Sequence, residues 1–279
     1  MDANLLGDDW IATPPVIYLK IQKTIQNPDS SFGEIADIIK GDPNLTTRLL
    51  RIVNSSYYGF SAKIETVAHA LNVIGTQQLT DLVLATSVVD QFKGGNQKCV
   101  AMDAFWKHSL GCGLAAKSLA SQKGEEDPDR FYAMGMLHDL GSLIVFNKMP
   151  KRSIKIVEES ASRNEPLFIL ERESFGFDHS VVAEALLKAW ELPDRLIEPI
   201  TCHHDPGKSK NFPTESAILH LGDIMAYELT LGGSGSSVIP LVKLEAWDMV
   251  GFSEKKWNEV KEFVQEEFDS AVSMFLSDS

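Results

Sequence analysis

One acidic side chain stands alone in the most apolar stretch of the chain. Residues 131–147 read FYAMGMLHDLGSLIVFN, and Asp139 is the only formally charged residue among them. A helix of this composition must be largely buried, and a buried carboxylate is costly unless a cation or several hydrogen-bond donors meet it. Residues 216–227, SAILHLGDIMAY, repeat the pattern with the single charge of Asp223. The chain must therefore fold so that two buried acids find positively charged partners.

Helix signals recur along nearly the whole length. Ser31 with Glu34 forms a capping box before an amphipathic run, and Asp42 caps a second helix that has Pro43 at its first position. Apolar residues then recur at helical spacing in segment after segment, including one helix predicted over 130–147. Strand-type alternation is nearly absent. The pattern predicts an all-α protein.

The polar stretch KGGNQK at 93–98 is the best candidate for a boundary within the chain. It predicts an N-terminal helical lobe over 1–97 and a second helical region over 98–279. Within the second region, GGSGSS at 232–237 has the composition of a flexible surface loop.

Charge and cysteine usage restrict the class of protein. Thirty-nine acidic side chains against 26 basic ones give a formal charge of -13, which repels phosphate backbones, so sequence-independent nucleic-acid binding is not expected. Three cysteines are too few for a disulfide framework and favour a reducing compartment. Neither an export signal nor a membrane-spanning apolar run is recognisable, so we expect a soluble cytoplasmic protein without a membrane partner.

Imidazoles are the most plentiful partners for the two buried acids. Five of the seven histidines lie on apolar stripes or at helix ends, namely His108, His138, His179, His203 and His204. His179 opens a helix behind the cap residue Asp178, and the positive end of that helix should keep its ring neutral. Together with Asp139 and Asp223 these side chains predict a site for one or two divalent transition ions such as iron, manganese, zinc or nickel.

Simpler roles remain open for the same residues. A single histidine on an apolar stripe is usually a hydrogen-bonded core residue, and we interpret His69 and His220 in that way. His203 and His204 could serve only the electrostatics of a helix end. Asp223 could be satisfied by local donors or by His220. A third possibility is a helical interaction scaffold without metal, in which the histidines and the acids only form hydrogen bonds and ion pairs with one another.

The order of these residues resembles the metal-binding pattern of the HD phosphohydrolase superfamily. Over residues 11–225 the chain further resembles the HDOD family, the HD-related output domain of bacterial signalling proteins. The segments that carry the resemblance are DPNLTTRLLRIVNSSYYGF (42–60), IETVAHALNVIGTQQLTDLVLA (64–85), FWKHSLGCGLAAKSLA (105–120), AMGMLHDLGSLIVF (133–146) and GFDHSVVAEALLKAWELPDRLIEPITCHHDP (176–206). The resemblance implies an HD-like helical core with an added N-terminal helical lobe.

Two departures from the active HD-GYP pattern bear on function. Active members carry a lysine three residues after the motif aspartate, where this chain has Ser142, and the GYP tripeptide does not follow His203 and His204. Hydrolysis of a phosphodiester needs electrostatic relief for developing phosphate charge, so the missing lysine implies weak activity or none. Lys107, beside His108, is a candidate for a replacement cation.

Two functions follow as expectations. The first is a metal-binding signalling module that acts through signalling proteins or a phosphate-containing small ligand, with no catalytic residue assigned. The alternative is a metal-dependent phosphohydrolase acting on a nucleotide or cyclic dinucleotide. In that scheme His108, His138, Asp139 and Asp223 hold one ion, and His179, His203 and His204 complete the site or bind a second.

Overall fold

The computed structural model describes residues 10–56, 58–92 and 99–276, and these are α-helical with no β-strand among them. The all-α prediction is confirmed. The described residues divide into two compact units, one of 10–13 with 99–265 and the other of 14–92 with 266–276. The predicted linker at 93–98 lies outside the described residues. None of the described helices combines the length and apolar character that crossing a bilayer requires.

The described residues of the smaller unit hold five complete helices and the end of the last helix of the chain, and two of them begin with the caps predicted from the sequence. Ser31 Oγ accepts from the Glu34 N–H and the Glu34 carboxylate accepts from the Ser31 N–H, so the capping box is present. Asp42 Oδ1 accepts from the Leu45 N–H at 3.0 Å. The helices are α1 (Val16–Ile25), α2 (Phe32–Lys40), α3 (Pro43–Val53), α4 (Val67–Ile74) and α5 (Thr76–Phe92).

His69 is not a core residue, contrary to prediction. It is exposed on α4, whose buried face is formed by Val67, Ala70 and Leu71. Position 69 falls on the opposite side of the helix, because successive residues of an α-helix are separated by about 100°. The apolar residues beside His69 in the sequence led to the wrong prediction that its side chain is buried.

The larger unit is built around α6, which is buried along most of its length. Its helices are α6 (Met102–Lys123), α7 (Asp129–Leu137), α8 (Leu140–Lys148), α9 (Pro150–Arg163), α10 (Leu167–Phe175), α11 (His179–Ala189), α12 (Asp194–Cys202), α13 (Pro213–Glu228), α14 (Leu244–Val250) and the part of α15 (Glu254–Phe275) up to residue 265. A short 3-10 helix, Pro206–Lys208, follows α12. The α7 backbone approaches α6 so closely that a Cβ on Gly135 would lie 2.3 Å from Gly113 N.

The single helix predicted over 130–147 is wrong, because it breaks in the middle. α7 ends at Leu137 and α8 begins at Leu140, with His138 and Asp139 in a turn between them. The ring of His138 donates from Nδ1 to the Gly135 carbonyl at 2.7 Å, which fixes the imidazole against the end of α7. The break therefore lies at the two residues that were predicted to bind metal.

A carboxylate on α12 organises the connection to α13. Glu198 accepts hydrogen bonds from Ser209 Oγ at 2.7 Å, from Asn211 N at 2.7 Å and from Asn211 Nδ2 at 2.8 Å. Burial raises the pKa of Glu198, but the hydrogen bonds from Asn211, Ser209 and Lys210 outweigh it and lower the pKa to about 2. This connection joins the end of α12, next to His203, to the helix that carries Asp223.

We expect Glu198→Gln to lower the free energy of unfolding by about 1 kcal/mol at pH 7, because the charge of the carboxylate is lost while solvent screens part of its effect and glutamine keeps one acceptor oxygen. A folded-state pKa below the unfolded value of about 4.3 stabilises the fold above that pH, and the stabilisation is lost as the pH falls toward 2. Urea titrations should show the difference between wild type and variant narrowing from pH 7 to pH 3. The exposed Glu158→Gln is the matched control, and an equal difference at both pH values would contradict the role of the Glu198 carboxylate.

Candidate metal centre

All seven residues predicted as metal ligands meet in the interior of the larger unit. Each is at most 5 % exposed. His108 lies on α6, His138 and Asp139 lie between α7 and α8, His179 is the first residue of α11, His203 and His204 follow α12, and Asp223 lies on α13. Side chains from distant parts of the sequence thus form one cluster, which we call the His/Asp cluster.

Asp139 stands at the middle of the His/Asp cluster. Its Oδ1 lies 3.1 Å from His179 Nε2 and 4.0 Å from His203 Nε2. Its other oxygen, Oδ2, lies 3.2 Å from His138 Nε2 and 3.7 Å from His108 Nε2. The two oxygens of one carboxylate therefore face different sets of imidazoles.

The second carboxylate completes one of these sets. Asp223 Oδ1 lies 3.0 Å from His108 Nε2 and 3.6 Å from His138 Nε2. Three triads have ligand atoms all within 4.8 Å of one another, namely His108–His138–Asp223, His138–Asp139–His203 and His179–His203–His204. The triads overlap, so the cluster offers room for one ion or for two.

In two of the histidine rings, a hydrogen bond on the side away from the cluster decides which nitrogen faces the cluster. Nδ1 of His138 donates to the Gly135 carbonyl, and Nδ1 of His203 donates to the Ile200 carbonyl at 2.6 Å. In both rings a neutral imidazole then has a bare Nε2, and neither Nε2 makes a hydrogen bond to the described residues. Bare imidazole nitrogens beside carboxylates fit a divalent transition ion, since such ions are ligated by neutral rings held from behind.

Glu171 holds His179 in the same way, and the sequence did not single it out. Glu171 Oε2 accepts from His179 Nδ1 at 2.6 Å and from the His179 N–H at 2.9 Å, and the side chain is fully buried. In the sequence Glu171 belongs to the charged run ERE of α10, where nothing distinguishes it from the exposed Glu173. Glu171 differs from Glu173 only in its burial, which the sequence did not reveal.

The pKa of His179, without a metal ion, is raised, whereas the sequence-based expectation for the metal-bound ring is a neutral imidazole. Burial opposes its protonation, but the attraction of Glu171 and Asp139 and their hydrogen bonds hold the pKa of His179 well above its usual value. The helix N-terminus is thus outweighed by two nearby carboxylates. Burial also acts against ionisation of Asp139, yet His138 and His179 hold the pKa of that carboxyl well below its usual value.

The paired histidines remain neutral. Burial, followed by repulsion from His138 and His179, lowers the pKa of His203 to about 4. Burial and the neighbouring His203 and His179 also hold the pKa of His204 well below its usual value. Burial opposes protonation of His138 as well, yet Asp139 holds the pKa of His138 well above its usual value. Without a metal ion, the His/Asp cluster therefore combines two carboxylates, two basic imidazoles (His138 and His179) and two neutral rings (His203 and His204).

His220 is a hydrogen-bonded core residue, as predicted. Its Nδ1 donates to the His203 carbonyl at 2.8 Å, and its Nε2 accepts from the Lys243 N–H at 3.1 Å. With both nitrogens occupied, His220 does not serve Asp223, which faces His108 instead. The sequence-based alternative of an Asp223–His220 pair is therefore wrong.

A segment over residues 231–243 covers the His/Asp cluster, and we call it the cap segment. The Gly233 N–H donates to the Ala104 carbonyl at 2.9 Å, and Tyr227 and Ser234 share a hydrogen bond of 2.9 Å. Gly232 and Ser237 are exposed and the GGSGSS stretch has no regular secondary structure, as predicted for a surface loop, but Ser234 is buried and helps to cover the cluster. The cavity between cap segment and cluster has a volume of only about 10 Å³, which is about the space of one water molecule.

The side chains that line this cavity include no lysine or arginine among the described residues. Ser142, at the position of the expected lysine, is buried on α8 and its hydroxyl has no hydrogen-bond partner among the described residues. Lys107 does not line the cavity and pairs with Asp103 at 2.7 Å, so it does not replace the missing cation.

Comparison with known proteins shows which proteins the chain resembles in fold and sequence. An HDOD domain protein of unknown function from Geobacter sulfurreducens has the same fold, with 24% sequence identity, 98% of each chain covered and a TM-score of 0.78. A protein from Shewanella amazonensis, named as a proposed phosphohydrolase, matches with 19% identity over 95% of this chain and 93% of its own, with a TM-score of 0.71.

A curated relative and a family model complete the comparison. An uncharacterised protein from Treponema pallidum is 29% identical over 199 residues, which are 71% of this chain but only 38% of the relative. The chain thus spans less than half the length of that relative. The model of the HDOD domain matches residues 11–206, and the chain therefore belongs to the HDOD family.

Proposed function

We propose that this HDOD protein is a metal-binding regulatory module of bacterial signalling that performs little or no hydrolysis. It acts by binding signalling proteins or a phosphate-containing small ligand. We place it in the cytoplasm, because Cys99, Cys112 and Cys202 are all free thiols, as expected in a reducing compartment. The observation that carries the metal part of the proposal is the convergence of seven buried histidine and aspartate side chains.

The donor set of the His/Asp cluster supports a transition ion rather than magnesium or calcium. Nitrogen ligands from imidazole suit iron, manganese, zinc or nickel, whereas magnesium and calcium prefer oxygen. Such an ion would neutralise the buried carboxylates of Asp139 and Asp223 and, with an open coordination position, could activate a water molecule. His138, His179 and His203, held by outer hydrogen bonds, would present their Nε2 atoms without reorientation.

The surroundings of the cluster support a regulatory rather than a catalytic role. The cavity above it has space for about one water molecule, and no lysine or arginine lines it among the described residues. A phosphodiester would have to displace the cap segment and would then meet no lysine or arginine among the described lining residues to stabilise its developing charge. These features support weak chemistry or none.

One observation favours a second candidate, a metal-dependent phosphohydrolase acting on a nucleotide or cyclic dinucleotide. The two oxygens of Asp139 face different imidazole sets, as a carboxylate shared by two ions would. His108, His138 and Asp223 would then hold one ion and His179, His203 and His204 the other. The proposed phosphohydrolase from Shewanella amazonensis has the same fold, although a likeness at 19% identity shows the fold alone.

Elemental analysis and an activity assay on protein purified without an affinity tag test the proposal. We expect at least one stoichiometric transition ion per chain and no significant release of phosphate or nucleotide from phosphate monoesters or cyclic dinucleotides. Robust turnover that Asp139→Ala abolishes would reject the regulatory proposal in favour of the second candidate. The absence of any bound metal in protein refolded with each of the four ions would reject both.

Glu171→Gln provides a test of the cluster without touching a ligand. We expect metal affinity to fall by about 10–100-fold, because partners that orient a ligating histidine have effects of this size. Competition with a chromophoric chelator measures the affinity. Glu173→Gln, on the same helix but exposed and paired with Arg163, should leave the affinity unchanged. Equal affinities for both variants would show that Glu171 does not orient a metal ligand.

A further inference from the structure

Three positively charged side chains lie together at the start of α9, in the larger unit. Lys151, Arg152 and Lys155 are all exposed, and we call them the basic patch. Residues 140–157 contain no aspartate or glutamate, although the whole chain has a formal charge of -13. The basic patch is therefore a local exception in an acidic protein.

The chain itself does not neutralise the basic patch. Arg152 Nη2 donates to the Ser174 carbonyl at 2.6 Å, and the guanidinium carbon lies 4.6 Å from the centre of the Phe175 ring. The guanidinium is thus held in place with most of its N–H donors still available. None of the three side chains, Lys151, Arg152 and Lys155, forms an ion pair with a carboxylate of the described residues.

The acidic residues on the neighbouring helices are engaged elsewhere. α9 packs against α10, which carries Glu171 and Glu173. Glu171 accepts from His179 at 2.6 Å, and Glu173 lies 2.7 Å from Arg163 at the other end of α9. α8, which also packs against α9, contains no acidic residue. The positive charge of the basic patch therefore remains exposed to solvent.

The basic patch does not stabilise α9. Lys151 and Arg152 lie in the first turn of the helix, where the positive end of the helix dipole repels cations. Lys155 follows Lys151 by four residues, so the two ammonium groups repel each other on one face of the helix. Lys148 differs, because it is the last residue of α8, where the negative end of the dipole attracts a cation. A local arrangement that opposes its own helix is typical of a functional surface.

The size of the basic patch favours side-chain carboxylates as its ligands. Residues three and four apart on a helix have Cβ atoms about 5–6 Å apart, so the patch has room for two or three carboxylates. A guanidinium such as that of Arg152 binds a carboxylate through two parallel hydrogen bonds. A nucleic-acid duplex or an anionic membrane would extend far beyond the patch and meet the acidic remainder of the surface.

We infer that the basic patch binds an acidic segment of a partner protein. Carboxylates of that segment accept hydrogen bonds from the guanidinium of Arg152 and from the ammonium groups of Lys151 and Lys155. They also relieve the repulsion among the three cations. The inference deepens the proposed function, on which it rests for the statement that the module acts through another protein.

Octaglutamate that carries an uncharged dye is the probe, and fluorescence anisotropy with the full chain is the measurement. We expect octaglutamate to bind at least about tenfold more tightly than octaglutamine, which has the same length without the charge. Binding should weaken as the salt concentration rises from about 0.02 M to about 0.3 M, because salt screens exposed charges.

Variants of the two lysines locate the binding. Lys151→Gln combined with Lys155→Gln alters only exposed side chains and should weaken octaglutamate binding about tenfold, as expected for the loss of two exposed ion pairs. Lys151→Arg combined with Lys155→Arg keeps the charge and should bind like the wild type. The matched control is Lys20→Gln combined with Lys23→Gln on α1. It removes the same charge from two other exposed lysines without described ion pairs and should leave binding unchanged.

Four results would overturn the inference. The first is octaglutamate binding no better than octaglutamine, and the second is an equal loss of binding in the two glutamine double variants, which would reduce the effect to net charge. The third is a short DNA duplex, or vesicles of phosphatidylserine, binding more tightly than octaglutamate through Lys151 and Lys155. The fourth is self-association in sedimentation experiments that the Lys151→Gln and Lys155→Gln changes abolish, which would identify a second copy of the chain as the occupant.

Metal content and hydrolysis, measured on the same samples, distinguish failure of the inference from failure of the proposed function. Protein that holds its metal and shows no turnover, but fails the octaglutamate test, overturns the inference and leaves the proposed function standing. Robust turnover that Asp139→Ala abolishes overturns the proposed function, whatever the basic patch binds.

Discussion

Removal of the metal by a chelator should lower the melting temperature of the protein by about 10 °C. A ligand present at about 1,000 times its dissociation constant stabilises a fold by about 4 kcal/mol, and each kcal/mol corresponds to about 2–4 °C for a domain of 150–250 residues. The cost arises in the His/Asp cluster. Without a metal ion, the buried carboxylates of Asp139 and Asp223 depend on protonated imidazoles, and the Nε2 atom of the neutral His203 ring lacks a hydrogen bond among the described residues.

The control for this experiment is restoration of the ion. Returning the stoichiometric metal should recover the melting temperature, whereas magnesium at the same concentration should not, because the site is rich in nitrogen ligands. Differential scanning calorimetry before and after chelation provides the measurement. A melting temperature that is unchanged although elemental analysis shows the metal to be gone would contradict a stabilising role of the metal.

Gly141→Ala should destabilise the larger unit by about 1–3 kcal/mol and should also disrupt metal binding. Gly141 lies on α8 where that helix meets α11, and a Cβ at this position would be 1.9 Å from the His179 carbonyl oxygen and 2.8 Å from Ala183 N. Both obstacles are backbone atoms, so the helices themselves must separate, and overpacking of this kind costs about 1–3 kcal/mol. Separation would move His179 away from Asp139.

Gly33→Ala is the matched control for this substitution. Gly33 lies in α2, and the nearest atom to its added Cβ is Ser31 Oγ at an ordinary contact distance of 3.5 Å. Replacing a helical glycine by alanine should therefore stabilise the smaller unit by up to about 1 kcal/mol. Urea titration measures both variants. Gly141→Ala within about 0.5 kcal/mol of wild type would show that α8 and α11 are not in such close contact.

Much of the fold follows from local sequence. The capping of α2 by Ser31 and of α3 by Asp42 is confirmed, because a cap is decided by side chains and backbone groups three residues apart. The spacing of apolar residues likewise predicts which segments are helical. It does not predict the interruption at His138 and Asp139, where the apolar pattern continues without a break although two helices meet there.

The candidate site, like the fold, was predictable from the sequence only in part. Asp139 and Asp223 were recognisable as lone charges in apolar helices, and the structure brings them together with the five histidines chosen beside them. That these residues ligate a metal stays a prediction. Three features of the site could not be predicted from the sequence: the role of Glu171, the cover provided by Ser234 and the raised pKa of His179. Each depends on groups that are distant in the sequence, or whose burial depends on the packing of other helices.

By itself, therefore, the sequence determined the helical class, the capping of individual helices and the identity of the two acids that need partners. The tertiary structure alone decided which of the five histidines faces which acid, which glutamate stands behind His179, and how little space remains above the cluster. The physical reason is the distance along the sequence over which each kind of interaction acts. Helix periodicity and capping act within a few residues, whereas burial and electrostatic partners are set only when α6, α8, α11 and α13 pack together.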